Sequence, residues 1–260
     1  MNFYILGVSM NVNYLFRLVL CFVCVSISDI ALGQKDDLDT LFVSNAKTKA
    51  RTIYTEEIAG EAHLFNGVQY QEPNLHNYDK GHPYYLSDDW VDGSIFYDGQ
   101  WYENISILYN INYDKVIIDH PYSHFSIELI KEKLKAFSIL NHKFVRLESD
   151  SVRNSPIRTG IYDALYDGNV KVYAKRRKET REVIEARNVS IVFSENDQFF
   201  IYKNGFFFPV KSKSSVLKVF SDRKSALRKF IKKNQLKFNA DRELALTESA
   251  RFYDESEKQL

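Results

Sequence analysis

Residues 94–111 read SIFYDGQWYENISILYNI, and this stretch predicts a β-hairpin. The pair Asp98-Gly99 is typical of a two-residue turn with positive φ angles, and residues that favour strands flank it on both sides. On the second strand the odd positions are apolar apart from Glu103; they are Trp101, Ile105, Ile107, Tyr109 and Ile111. Because side chains alternate between the two faces of a strand, the pattern predicts that this face, Trp101 included, lies in the core.

The same turn chemistry recurs through residues 52–210. Asx-Gly pairs occur at Asn66-Gly67, Asp92-Gly93, Asp98-Gly99, Asp167-Gly168 and Asn204-Gly205. Further strands are predicted at 115–119, 143–148, 160–166, 170–178, 189–193, 198–202 and 206–210. Residues 127–137 instead predict a short helix, since Leu129, Ile130, Leu134 and Phe137 recur at helical spacing.

The predicted fold class is therefore mainly β (α+β), an antiparallel β-rich domain over residues 52–210 with a C-terminal helical segment. Strands do not alternate regularly with helices, which argues against a parallel sheet. A curved sheet, a sandwich and a partly open barrel all remain compatible with this pattern.

The C-terminal helical segment spans residues 211–260 and is basic. Ser214 and Ser215 are candidate caps of a first helix, and Asn239 is a candidate cap of a last one. Apolar residues in the segment recur every three or four positions, and four of them are expected to turn inward: Leu217, Phe220, Leu227 and Ile231.

Residues 1–33 predict a cleavable export signal. An apolar run from Leu18 to Ser28 follows Arg17 and is shorter than the roughly 20 residues of a membrane-spanning helix. Ala31 and Gly33 supply small residues for cleavage before Gln34, which begins a polar segment to residue 51. A lipid anchor on Cys21 or Cys24 is the competing interpretation, but Leu20 and Val23 precede these cysteines where a small residue is needed. The mature chain would then have no cysteine and no transmembrane span.

No catalytic, cofactor-binding or metal-ligating residue is predicted, and no cofactor. His120 and His124 have a ligand-like spacing, but Pro121 interrupts it. A glycan-hydrolase cleft is an alternative use of the acidic and tryptophan residues between 88 and 101, although carboxylates in hairpin turns are commoner; these residues are Asp88, Asp89, Trp90, Asp92, Asp98 and Trp101. Motifs for a serine nucleophile, a phosphate loop or a dinucleotide are absent from the sequence.

Charge is distributed unevenly along the chain. Residues 35–170 contain 13 Lys and Arg against 21 Asp and Glu, whereas residues 171–260 contain 21 against 12. Residues 211–237 hold ten Lys and Arg and one acid, Asp222, and Lys175 to Lys178 form a second basic cluster. These cations either form a solvated face partly neutralised by the acidic half or bind an anionic surface such as phospholipid, lipopolysaccharide or acidic glycan. The candidate anionic-surface patch consists of Lys218, Arg228, Lys229, Lys232 and Lys233.

Several stretches resemble uncharacterised exported proteins of Gram-negative bacteria. They are residues 93–105, 108–111, 114–115, 160–162, 165–168 and 210–215. The resemblance implies a periplasmic or cell-surface location but carries no activity. The expected function is that of a non-enzymatic, envelope-associated or ligand-binding protein, whose partner is an anionic lipid or glycan or another envelope protein, and not nucleic acid. A hydrolase of envelope glycan and a structural subunit of an envelope complex are the alternatives.

Overall fold

In the computed structural model the described residues are 42–50, 53, 63–71, 78–121, 123, 125–150, 155–185 and 188–257. The expected signal peptide and its cleavage point lie outside them. The chain divides into two compact units, Met1–Glu57 and Ile58–Leu260. In the first unit residues 42–50 are helical and exposed. Every element described below belongs to the second unit.

Fourteen strands occur in the described part of the second unit. They are β1 (Val68–Gln69), β2 (Tyr78–Lys80), β3 (Val91–Tyr97), β4 (Gln100–Asn110), β5 (Lys115–Asp119), β6 (Ser126–Glu128), β7 (Leu134–Ile139), β8 (His142–Leu147), β9 (Gly160–Asp167), β10 (Lys171–Lys175), β11 (Lys178–Glu185), β12 (Asn188–Glu195), β13 (Gln198–Lys203) and β14 (Phe206–Val210). Eleven form an antiparallel sheet in the order β1-β6-β5-β4-β3-β7-β8-β9-β10-β13-β14, and three form a small sheet, β11-β12-β2. The predicted antiparallel, mainly β fold class is confirmed.

The large sheet is strongly curved. Asp114, in the turn after β4, lies 2.7 Å from the Nζ of Lys175 on β10. Five strand spacings separate β4 from β10, which would be about 24 Å in a flat sheet. Curvature brings the aromatic rings of Tyr109 and Phe144 to within 5.2 Å of each other inside the bend. The sequence left a curved sheet, a sandwich and a partly open barrel open, and the structure has one large sheet of eleven strands that is strongly curved.

A β-bulge makes the prediction for Trp101 wrong. Gly93 pairs with Ile105 and Ile95 pairs with Tyr102, so β4 has one extra residue between these positions. Asn104 takes a φ of 55° there. One added residue reverses which face each side chain occupies. Beyond the bulge Ile107 and Tyr109 point inward as expected, whereas near the turn Tyr102 is buried and Trp101 is 53% exposed.

We expect Trp101→Ala to cost less free energy of unfolding than Tyr102→Ala. The Trp101 ring packs mainly beside Phe96, at 5.3 Å between centroids, and about half of the residue stays in water. Tyr102 is 6% exposed within the principal core. Urea melts of the two variants provide the comparison. A larger loss for Trp101→Ala would mean that the strand face is assigned wrongly.

The helix predicted at residues 127–137 is also wrong. This stretch forms β6, a turn closed by hydrogen bonds from the Lys133 and Leu134 amides to the Ile130 carbonyl, and then β7. A register shift between β3 and β7 displaces Leu134 by one position from the strand alternation. The apolar residues of two strands and a turn therefore imitate a helical spacing.

Positive φ angles occur at two of the five Asx-Gly pairs. Asp98-Gly99 and Asn204-Gly205 form the β3–β4 and β13–β14 turns with φ between 49° and 86°. Leu140-Asn141 has the same left-handed geometry, with φ of 50° and 63°, between β7 and β8. Asp92-Gly93 instead lies inside β3, where a Cβ on Gly93 would come within 2.2 Å of the Ser138 carbonyl oxygen.

Three α-helices follow β14: α1 (Lys213–Val219), α2 (Lys224–Lys233) and α3 (Arg242–Glu257). Ser212 caps α1 in a capping box with Ser215, and the Asp241 carboxylate accepts a hydrogen bond from the Leu244 amide at the start of α3. Of the predicted candidates, Ser215 does take part in the cap of α1, whereas Ser214 and Asn239 each lie two residues from the residue that caps the helix. The sequence misplaced both because several polar residues stand before each helix.

The helices pack on one face of the large sheet. The four residues expected to turn inward are all buried, which confirms that prediction: Leu217, Phe220, Leu227 and Ile231. They share one apolar core with Val172 of β10 and Ile201 of β13. The helical segment is consequently part of the same folded unit as the strands.

Candidate anion-binding surface

The five cations of the candidate patch are all exposed on α1 and α2. Lys218 lies on α1, and the other four lie on α2; these are Arg228, Lys229, Lys232 and Lys233. Burial of the apolar face fixes this arrangement, since the remaining positions of each helix must face water. No ion pair joins any of the five to a carboxylate in the described part of the chain.

Asp222, the one acid of residues 211–237, is occupied elsewhere. One of its carboxylate oxygens lies 2.8 Å from the Lys203 Nζ, and the other accepts a hydrogen bond of 2.8 Å from the Tyr253 hydroxyl. Burial opposes the charged form of Asp222, but the two hydrogen bonds outweigh it and lower its pKa. The carboxylate therefore neutralises Lys203 of β13 and leaves the patch cationic.

A cleft of about 620 Å³ separates the exposed faces of α1 and α2. Its lining consists of Lys213, Ser214, Leu217, Lys218, Ser221, Lys224 and Arg228. Lys218 and Arg228 belong to the predicted patch, whereas the other three patch cations lie outside the cleft. Sequence reasoning missed Lys213 and Lys224 as members of this surface. The four-residue spacing of Lys224 and Arg228 was the available signal, because such residues share one helix face.

Three of the four residues in the second basic cluster, Lys175 to Lys178, have internal partners; they are Lys175, Arg176 and Lys178. Lys175 contacts Asp114, and Lys178 donates a hydrogen bond of 2.7 Å to the Tyr84 carbonyl. Burial lowers the pKa of both lysines. Lys175 and Arg176 therefore follow the interpretation of neutralisation by the acidic half, since Asp114 and Asp163 lie in residues 35–170.

Arg176 is the centre of a buried ionic network. Its guanidinium donates to Asp163 at 2.6 Å, to Asp197 at 2.7 Å and to Glu243 of α3 at 2.9 Å. The side chains of Arg176 and Asp163 are 6% and 1% exposed. Burial alone would lower the pKa of Arg176, but Glu243 and Asp163 outweigh this and raise it, so the group stays charged. His142 completes the network, with its Nδ1 2.8 Å from Asp163.

The pair Asp92 and Asp98 gives no geometric support to the alternative of a glycan-hydrolase cleft. Asp92 and Asp98 stand near opposite ends of β3, about 20 Å apart by strand length. Asp92 accepts a hydrogen bond from Ser106, and Asp98 pairs with Lys133 at 3.1 Å. A glycosidase needs two carboxylates within about 10 Å of each other.

The histidine pair is only partly described. His120 packs against the rings of Phe65 and Phe125, at 4.7 and 5.5 Å, and His124 lies outside the described residues. Among the residues that are described, no three His, Cys, Asp or Glu side chains are grouped as metal ligands would be. Within the same ranges, no helix is long and apolar enough to span a membrane.

Comparisons of the chain with models of protein families, with curated proteins and with solved structures found no match. The function is therefore inferred from the exposed cations of α1 and α2.

Proposed function

We propose that this chain is an exported, non-enzymatic protein of the cell envelope that adheres through its C-terminal helical segment to acidic phospholipid surfaces. The observation that carries the proposal is the contrast between two basic clusters. Lys175, Arg176 and Lys178 of the second cluster are engaged with internal partners. The five cations of the helical patch are exposed, and none of them forms an ion pair with a carboxylate of the described residues.

The expected adhesion is electrostatic and weak for each contact. A cation near an anionic bilayer is worth up to about 1 kcal/mol, and the attraction fades beyond a Debye length of about 8 Å at physiological salt. Several cations on neighbouring helix positions act together, so binding is substantial at low salt and is lost at high salt. The export signal expected in residues 1–33 and the resemblance to exported proteins are what support an envelope location.

Removal of three patch charges should reduce vesicle binding about a hundredfold. The variant Lys229→Gln/Lys232→Gln/Lys233→Gln loses about 3 kcal/mol of attraction at about 1 kcal/mol for each charge. Co-sedimentation with phosphatidylglycerol–phosphatidylcholine vesicles at low salt measures the change, and pure phosphatidylcholine vesicles provide the uncharged surface.

The matched control is Lys135→Gln/Lys143→Gln/Arg181→Gln. It removes the same net charge from exposed strand positions outside the helical segment. We expect it to retain most of the binding, because location and not only net charge decides the attraction. Equal losses for both variants, or equal recovery on charged and uncharged vesicles, would refute the proposed function.

Export predicts that the mature protein begins at Gln34. Mass spectrometry of protein recovered from its native host should give an N-terminal peptide starting at this residue, because Ala31 and Gly33 provide the small residues of a cleavage site. An intact peptide that extends through Gly33 would contradict the export part of the proposal.

A further inference from the structure

The cleft between α1 and α2 has two cationic walls. Lys213 and Lys218 line it from α1, while Lys224 and Arg228 line it from α2. Ser214 and Ser221 add two hydroxyl groups that make no hydrogen bond with a described residue. Ser212 and Ser215, in contrast, are occupied in the capping box. The cleft therefore offers four positive charges and two free hydroxyls.

These cations repel one another without an internal counter-ion. Lys224 and Arg228 are four residues apart on one helix, a like-charge arrangement that destabilises a helix. Asp222 lies in the chain between the two walls but is engaged with Lys203 and Tyr253. An anion bound from solution would relieve this repulsion, so the cleft is suited to binding one.

The donor set favours a phosphate monoester over a carboxylate. A phosphate monoester carries a charge of about −1.5 to −2 at neutral pH and three acceptor oxygens, whereas a carboxylate carries a single charge and two oxygens. Arginine binds phosphate through paired hydrogen bonds, and lysine acts as a point charge toward it. The volume of about 620 Å³ also lies within the range of small-molecule sites.

We propose that the α1–α2 cleft binds one phosphate monoester group, contacted by Lys213, Lys218, Lys224 and Arg228. This site specifies a ligand for the helical surface of the proposed function. It rests on the proposed function only because both place anionic phosphates on the same face of the helical segment. The monoester can come from the headgroup of a lipid such as phosphatidic acid or from a free phosphate, and the experiment separates these sources.

Inorganic phosphate is the first probe, added to the isotope-labelled chain at constant ionic strength against chloride. We expect saturable NMR shifts of the amides of Ser214, Leu217 and Ser221. Lys213→Gln/Lys224→Gln, which removes two cleft cations, should weaken the affinity at least about tenfold, since each charge-assisted contact contributes about that factor. The matched variant Lys229→Gln/Lys233→Gln removes two cations outside the cleft and should change it less than about twofold, because exposed charges are screened.

Vesicles are the second probe and identify the source of the phosphate. If phosphatidic acid vesicles are preferred over phosphatidylglycerol vesicles of equal surface potential, and Lys213→Gln/Lys224→Gln abolishes this preference, the site takes a lipid headgroup. Saturable phosphate shifts without such a preference assign the site to free phosphate. Linear shifts, or equal effects of the two double variants, would overturn the cleft site even where phosphatidylglycerol binding persists. If the chain does not bind phosphatidylglycerol vesicles but still shows saturable phosphate shifts, the proposed function is overturned and the cleft site is not.

Discussion

Arg176→Met should cost about 3–5 kcal/mol of the free energy of unfolding. The substitution removes the guanidinium that pairs with Asp163, whose side chain is 1% exposed, and leaves that carboxylate with its His142 contact. A buried charge that loses its arginine partner is strongly destabilising, because the lost attraction no longer offsets the cost of its desolvation. Methionine retains most of the side-chain length, so the loss reports the ionic network and not a large cavity. Chemical denaturation followed by intrinsic fluorescence is the measurement.

Arg177→Met is the matched control. Arg177 is the next residue along the chain, and its side chain forms no ion pair with a described residue. A surface substitution of this kind should change stability by less than about 0.5 kcal/mol. If the two variants lose the same free energy of unfolding, the ionic network contributes nothing, and the loss reflects only the removal of an arginine.

A double-mutant cycle with Asp163→Asn then isolates the pair. We expect the double variant to lose less than the sum of the single losses, by about 1–3 kcal/mol, because contacting charges are not independent. Vesicle binding by the folded Arg176→Met protein should remain at the level of the parent chain. This result would separate the internal basic cluster from the exposed helical patch.

Strand and helix content follows from local patterns, which explains what the sequence predicts well. β5 and β14 were predicted with the bounds that the structure has, because each is a short apolar run between polar turns. The inward face of α1 and α2 was also predicted, because a helix has one fixed period. β11 was missed because its residues KETREVIE are mostly charged and lie in an exposed hairpin with β12.

The errors arise where one residue or one distant partner changes the outcome. The bulge at Asn104 adds one residue to β4 and so places Trp101 on the solvent-exposed face. A pattern of alternating apolar and polar residues does not reveal such an added residue. Asp163 reaches Arg176 from the neighbouring strand β9, and Asp114 reaches Lys175 across the curved sheet, so both pairings depend on tertiary structure. For the same reason, two basic clusters that look alike in sequence differ completely in exposure.

The residues of the candidate site also divide into those that the sequence predicts and those that depend on tertiary structure. Helix periodicity placed Lys218 and Arg228 outward, which only required knowledge of the apolar face. The cleft that joins them to Lys213 and Lys224 depends on the angle between α1 and α2 and on the short turn that contains Asp222. The sequence could not supply that angle, because it is set by packing against β10, β13 and β14.

The attachment of α3 to the sheet is expected to depend on Asp254. This residue is 4% exposed, and its carboxylate accepts hydrogen bonds from the Asn169 amide at 2.8 Å, the Val170 amide at 3.2 Å and the Tyr166 hydroxyl at 3.1 Å. The turn between β9 and β10 is shaped around the carboxylate. A Cβ on Gly168 would lie 2.1 Å from one of its oxygens.

Asp254→Ala should therefore cost about 3 kcal/mol of the free energy of unfolding, because two backbone amides lose their acceptor. Amide hydrogen exchange at Asn169 and Val170 should accelerate along with the loss measured in denaturant melts. Glu255→Ala is the matched control, since its exposed side chain lies one position further along α3. If both variants cost the same small amount, apolar packing alone holds α3. The α3 helix packs against α2, with the Phe230 and Phe252 rings 4.3 Å apart. If Asp254→Ala is selectively destabilising, one buried carboxylate therefore determines the position of both helices.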